Sequence, residues 1–394
     1  MKILFGFLAS FALQTAHAAA PVAGEGLVDL HAHVFMYEGF GVPWFGKFNG
    51  PIEVKSWKEK MGSKINPEAL EKSGAQVVVV ALYTHPLFRG EPRDAIRRQI
   101  FTAKQFVKAH PHWVIARSPN ELEQAHAAGK KALVFSLEGA AQVLETEQDL
   151  VEFIDQEGIR IVTLYHFIDD HFGGAALMRG TGSAANPLGW FKAWKNGTRD
   201  SQGVLVNTKG MTDTGRRLAH SLIQRGVWMD LSHATDADQV ELTQISEKAQ
   251  LPLLYTHTAL RKYLGAERGI SEIQLQAVKR TGGILGIIPS EDMLQDTPSR
   301  LAPCGAGGIP ALKHQVQEAG QVVGEDAVSL GSDLNAPLSF IRADCNGSQF
   351  SDYSQLGAIW NSTQRGGLNV KKFVKVWSRV HTHPNESLNK ASKK

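Results

Sequence analysis

Cysteine is scarce, with Cys304 and Cys345 the only two in 394 residues. So few exclude a small disulfide-stapled fold and argue against cysteine ligation of a metal. Charge of one sign is lacking too: Lys and Arg total 42 against 39 Asp and Glu, a net of +3. With no block of like charges, a polyanion-binding face is not indicated, and nucleic acid is not an expected partner. After the opening residues no stretch is long and apolar enough for a membrane anchor. The tail, 381–394, is polar and basic and is expected to be disordered; it lacks the apolar end that a lipid-anchor signal needs.

The one apolar run lies at the start. Lys2 supplies a positive charge, and residues 3–13 are apolar but fall short of the roughly 20 that span a bilayer. Ala16-His17-Ala18 has the form of a cleavage site. Residues 1–18 therefore read as a secretory signal, and the mature chain as exported, periplasmic or secreted. Export makes Cys304 and Cys345 candidates for one disulfide, with two free thiols the alternative. The remaining length, 43% apolar overall, suits two ordinary domains or one large barrel.

The order of elements favours one barrel over 19–380. Apolar, strand-like stretches occur at 26–35, 75–83, 131–140, 160–167, 227–231, 252–256, 283–288 and 327–330, with a minor one at 113–116. Helical spacing fills most intervals: 67–72, 94–109, a helix opened by Ser118-Pro119 and closed by Gly129, 147–156, 212–225, 236–249, 271–279, and 310–319 stopped by Gly320. Two segments break the alternation. Residues 36–64 carry Tyr37, Phe40, Trp44, Phe45, Phe48 and Trp57 and read as a cover over a site, or as a flap packed on its own aromatics. The other is a Gly-rich insertion, 169–210, with His171, Trp190 and Trp194.

Eight buried strands separated by helices are the sequence form of an α/β (β/α)8 TIM barrel, here with long loops over its C-terminal face; an open doubly wound sheet is the competitor. Polar residues fall where apolar strands stop: His31 and His33, Glu138, His166, His233, His257 and Asp333. In a barrel those ends meet at one face. Buried strand ends carry imidazole or carboxylate when paired or bound to metal. Such donors suit two divalent ions, Zn2+ above calcium or magnesium. The expected arrangement places His31, His33 and Glu138 on one ion and Glu138, His233 and His257 on the other, with Glu138 bridging and a hydroxide held between. Asp333 would relay its proton, and His166 would stabilise an oxyanion or orient a ligand. Arg268 could clamp a substrate carboxylate, although a loop arginine can equally be solvated.

The chain resembles the membrane (renal) dipeptidase family, a branch of the binuclear metal amidohydrolases, from about Leu27 to about Asp333. The pieces that carry the likeness are Asp29-Leu-His31-Ala-His33, Leu137-Glu138-Gly139, Thr163-Leu-Tyr-His166, Gly210-Met-Thr-Asp-Thr-Gly215, Asp230-Leu-Ser-His233, Thr256-His257-Thr258, Glu267-Arg268-Gly269 and Gly331-Ser-Asp333. The resemblance implies a zinc-dependent barrel hydrolase of dipeptides, often tolerant of a D-residue on the C-terminal side. It implies a bridging Glu138, ligands at His31, His233 and His257, an oxyanion or substrate role for His166, carboxylate recognition by Arg268, and acid/base chemistry at Asp333. The sequence departs from the family at His33, where His-x-Asp is typical, and at Gly139-Ala140-Ala141, where Gly-Gly-His is usual. The insertion 169–210 reshapes the pocket, and the family's glycolipid-anchor signal has no counterpart.

The expected activity is therefore metal-dependent hydrolysis of an amide bond in a small peptide-like substrate. A lactonase or phosphotriesterase-like hydrolase on the same barrel is the alternative, and a non-catalytic metal-binding barrel a third reading, against which Asp333 speaks. The sequence leaves a homodimer open.

Overall fold

The computed structural model describes residues 26–40, 46–52, 62–84, 90–294, 308–338, 341, 352–363 and 366–381. The expected signal segment, Cys304, Cys345, residues 382–394, and Trp44, Phe45 and Trp57 lie outside them. Nine parallel strands form the sheet: β1 Leu27–Ala32, β2 Ala75–Tyr83, β3 Trp113–Ile115, β4 Lys131–Glu138, β5 Ile161–Thr163, β6 Trp228–Asp230, β7 Leu254–Thr258, β8 Ile284–Ile287 and β9 Val328–Leu330. Pairing of β2 with β4 closes eight of them into a barrel. The minor strand β3 pairs with the first residues of β4, Lys131 to Leu133, whereas β5 pairs with its last, Ser136 to Glu138. Eight strands therefore complete a (β/α)8 barrel, and β3 is an accessory to it.

Alternation along the strands divides the core into two layers. Val77, Val79, Ala132, Val134, Ile161 and Leu254 pack in one cluster, which fills the barrel. Val78, Val80, Leu133, Phe135 and Leu137 belong to another, with the helix residues Ile96, Ile100, Leu218 and Leu222. Helix starts follow the sequence signals: Ser118 accepts from Glu121 N, and Ser271 and Gln274 form a reciprocal capping box. One expected stop differs. The helix Gly308–Val323 runs through Gly320, where even a side chain would meet Glu325 only at ordinary contact distance, and ends before Gly324, whose φ of 100° is accessible to glycine.

The helix Val370–His381 closes the barrel at the strand beginnings. Its Phe373, Val376 and Trp377 join the interior cluster with Val28, Val77, Trp228 and Ile284. That leaves the opposite, C-terminal face for chemistry. The insertion is built rather than loose: it contains the helix Pro187–Asn196 and an antiparallel bridge between Arg199 and Leu205.

Candidate active site

Glu138, the last residue of β4, is 2% exposed and lies at the centre of the site. Five imidazoles surround its carboxylate. Oε1 lies 3.5 Å from His31 Nε2, 3.2 Å from His233 Nε2 and 3.1 Å from His257 Nε2. Oε2 lies 3.3 Å from His33 Nε2 and 3.5 Å from His166 Nε2. Asp333 Oδ1 is 3.2 Å from His33 Nε2 and 3.9 Å from His31 Nε2. Residues dispersed over the chain thus converge where the strand ends predict.

The route to that convergence is less regular than simple strand alternation. The parallel register shifts between Asp29 and Ala32 in β1, and between Tyr255 and Thr258 in β7. Both irregularities span a histidine, the kind of break that re-aims a side chain. His166, His233 and Asp333 each lie three residues beyond a strand. His233 and Asp333 adopt φ of 68° and 51°, a left-handed conformation that costs a non-glycine residue of order 1 kcal/mol and concentrates at functional sites. Gly331 permits this packing, since a Cβ there would lie 2.0 Å from Thr256 O and 2.8 Å from His257 Cβ.

Hydrogen bonding assigns the imidazole tautomers. Asp230 Oδ2 accepts from Thr163 Oγ1 and Thr256 Oγ1, both at 2.6 Å, and Oδ1 accepts from Thr256 N and from Ser232 N and Oγ. Once the Thr256 hydroxyl has spent its proton on Asp230, it can only accept. It lies 3.2 Å from His31 Nδ1 and 2.8 Å from His257 Nδ1, so both rings carry hydrogen on Nδ1 and a lone pair on Nε2. Those lone pairs face Glu138, neither of whose oxygens accepts a hydrogen bond; His31 Nε2 is likewise buried without a partner. Acceptors crowded together without donors are costly when buried, and a shared cation resolves the conflict. The residues therefore fit divalent metal.

Three overlapping donor groups could hold it: His31, Glu138 and His257; Glu138, His166 and His233; and His31, His33 and Asp333. This differs from the division expected from chain order. His257 groups with His31, its ring stacked at 3.7 Å, and His166 stands beside His233.

Burial keeps three of the imidazoles in their neutral form. Burial, reinforced by neighbouring positive groups, holds His31, His233 and His257 well below the usual imidazole range. His33 is the exception, because its bond to Asp333 and the field of Glu138 outweigh burial and raise it. Burial pushes Glu138 up to about 8, against the opposing pull of His33.

A cavity of about 290 Å³ opens beside these donors. His33, His166, His233, Arg268, Asp333 and Asn335 form its polar part; Met36, Tyr37, Phe40, Tyr83, Phe167, Met178, Ile288, Met293 and Leu338 give it apolar walls. Arg268 is 5% exposed, places NH2 3.1 Å from His233 Nε2, and has a buried NH1 without a partner. Its loop is held by the preceding residue. Glu267 accepts from the backbone N–H of Leu177, Asn207 and Asp236, each at 2.9 Å, which ties the insertion and a helix start to the site.

Asp29, Asp230, Thr256, Glu267 and Gly331 stand within the sequence motifs, but their tasks become visible only in the structure. Asp29, pushed up to about 6 by burial, accepts from Ser332 N, Ser332 Oγ and Tyr353 Oη, and so fixes the turn that carries Asp333. The available signal was a carboxylate two or three residues before a histidine on an apolar strand.

The sequence matches the family described as membrane dipeptidase (peptidase family M19) over residues 26–191 and 181–390. The chain belongs to this family. Among its relatives, dipeptidase 3 of Mus musculus is 25% identical over 304 residues, covering 76% of this chain and 54% of that protein. Dipeptidase ataJ of Aspergillus terreus is 24% identical over 242 residues, covering 61% and 55%. The chain thus spans about half the length of these relatives. Its fold is similar to a metallopeptidase from Rhodobacter sphaeroides liganded with a phosphinate mimic of the dipeptide L-Ala-D-Ala, with TM-score 0.63, 14% identity, and 90% of this chain and 99% of that one covered. It is also similar to the probable dipeptidase PvdM of Pseudomonas aeruginosa, with TM-score 0.64, 15% identity, and 91% and 96% covered.

Proposed function

We propose that the protein is an exported, zinc-dependent hydrolase that cleaves the amide bond of dipeptides or closely similar small substrates. The observation that carries this reading is the Glu138 carboxylate, free of hydrogen bonds and surrounded by five imidazole nitrogens at 3.1 to 3.5 Å. His31, His33, Glu138, His233 and His257 would hold two divalent ions, whose chemistry when bound is to polarise the scissile carbonyl and activate water near neutral pH.

The protein's own groups divide the remaining work. Arg268 presents an unpaired guanidinium N–H beside the cavity and binds the substrate's terminal carboxylate, which fixes the amide relative to Glu138. Asp333 lies at the cavity edge, takes the proton released by the attacking water at its carboxylate, and returns it to the departing amine. His166 lies on the same wall and donates a hydrogen bond to the developing oxyanion. The apolar walls exclude water and receive the substrate's side chains. The phosphinate dipeptide mimic held by the Rhodobacter sphaeroides protein supports a small peptide substrate.

The test is metal analysis of the purified protein followed by assay on L,L and L,D dipeptides, esters and lactones. Two equivalents of metal with dipeptide turnover are expected. Robust lactone cleavage with inert dipeptides would transfer the reading to a lactonase, and absence of any turnover with metal bound would remove the catalytic claim.

A further inference from the structure

The helix Pro187–Asn196 is inverted relative to an ordinary surface helix. Its buried residues are the small Gly189 and Ala193, while Leu188, Trp190, Phe191 and Trp194 are 72%, 38%, 52% and 57% exposed. At 3.6 residues per turn the three aromatic residues occupy an arc of about 100° directed away from Gly189 and Ala193. Exposed Lys192 and Lys195 adjoin that arc. A contiguous exposed aromatic ridge on a folded protein marks an interaction site.

Charge selects the partner. The helix Pro187–Asn196 carries no Asp or Glu but has two exposed lysines, Lys192 and Lys195. Self-association through this helix would set lysines opposite each other with no carboxylate on the helix to pair them. An anionic surface offers both complements: phosphates for the basic groups and an apolar interior for Trp190, Phe191 and Trp194. Aromatic rings flanked by lysine have the composition of segments that lie in the headgroup region of a bilayer.

We infer that the helix Pro187–Asn196 docks the protein peripherally on anionic lipid bilayers. The docking is superficial, because among the described residues no helix is long and apolar enough to cross a membrane. It also orients the catalytic face. The same insertion supplies Met178 to the cavity wall, and its Leu177 carbonyl accepts from Arg268 N at 3.2 Å, so the cavity rim is brought to the lipid surface.

The experiment is co-sedimentation of the full chain with phosphatidylcholine vesicles and with mixed phosphatidylcholine and phosphatidylglycerol vesicles across a salt series. The triple variant W190A/F191A/W194A and the charge variant K192E/K195E are run alongside, with thermal melting to show that each remains folded. Wild type is expected to partition onto the mixed vesicles, with binding that weakens as salt rises. The triple variant is expected to lose at least about ten-fold in partitioning, and the charge variant to lose its preference for anionic vesicles. The inference is overturned if wild type fails to sediment with the mixed vesicles or if the triple variant binds them equally. It is also overturned if equilibrium sedimentation reveals a dimer dissolved by the triple variant, which would assign the ridge to a second copy.

Discussion

Replacing Thr256 with valine removes one hydroxyl and keeps the shape of the side chain. In the wild type that oxygen donates to Asp230 Oδ2 at 2.6 Å and faces the Nδ1 atoms of both His31 and His257. The variant therefore leaves two buried ring donors without acceptors, each costing about 1–3 kcal/mol, and releases the tautomers that direct Nε2 toward Glu138. Loss of a partner of this kind typically weakens metal binding by about 10–100-fold per ligand. With two ligands served by one hydroxyl, Thr256→Val should lower affinity for the more tightly held ion by about 100-fold or more. The assay is competition for zinc with a chromophoric chelator. Thr256→Ser restores the hydroxyl without the methyl group and should bind within a few-fold of wild type. Equal metal affinity in Thr256→Val and wild type, with both folded, would refute the assignment of tautomers and with it the argument for metal.

Two further outcomes follow from geometry and burial. Arg268→Lys keeps a positive charge but loses the planar fork that pairs with a carboxylate, so KM for a dipeptide should rise by about 10–100-fold while kcat changes less. The same KM rise on a substrate without a carboxylate would refute the clamp. Asp238 is buried, has an Oδ1 without a partner, and is pushed up to about 7 by burial, from 3.8. Its folded form thus prefers the proton, so the stability it contributes is fully present below pH 3.8 and is lost as pH rises through about 7. Melting curves of Asp238→Asn and wild type between pH 4 and 8 should diverge with rising pH, the variant becoming the more stable; parallel curves would contradict this.

Much of the barrel was legible because its longer strands are apolar on both faces. Ala75–Tyr83 falls on its predicted bounds, and the buried run of β4 leads to Glu138 as expected. The shorter strands end before their apolar composition does: 160–167 contains only three paired residues, Ile161–Thr163, and His166 stands on the turn beyond. Each metal-site candidate reached the common face, because strand ends converge whatever the exact boundary. The stacking of His257 on His31 was not legible, since it depends on the irregular registers of β1 and β7. Nor was the Thr256 and Asp230 pair, because threonine and aspartate are common and their partnership joins positions distant in sequence. The helix Val370–His381 had a readable signature in Val370, Phe373, Trp377 and Val380, all buried. Counting strands alone gave no reason to look for a floor.

That floor affects synthesis. Translation delivers β1 through β9 before the helix Val370–His381, so the strand bases must wait for the cover that Phe373 and Trp377 provide. Until then Val28, Val77, Trp228 and Ile284 remain accessible to other apolar surfaces, the condition under which nascent chains aggregate. The strand bases should therefore stay open to aggregation until the helix Val370–His381 docks on them.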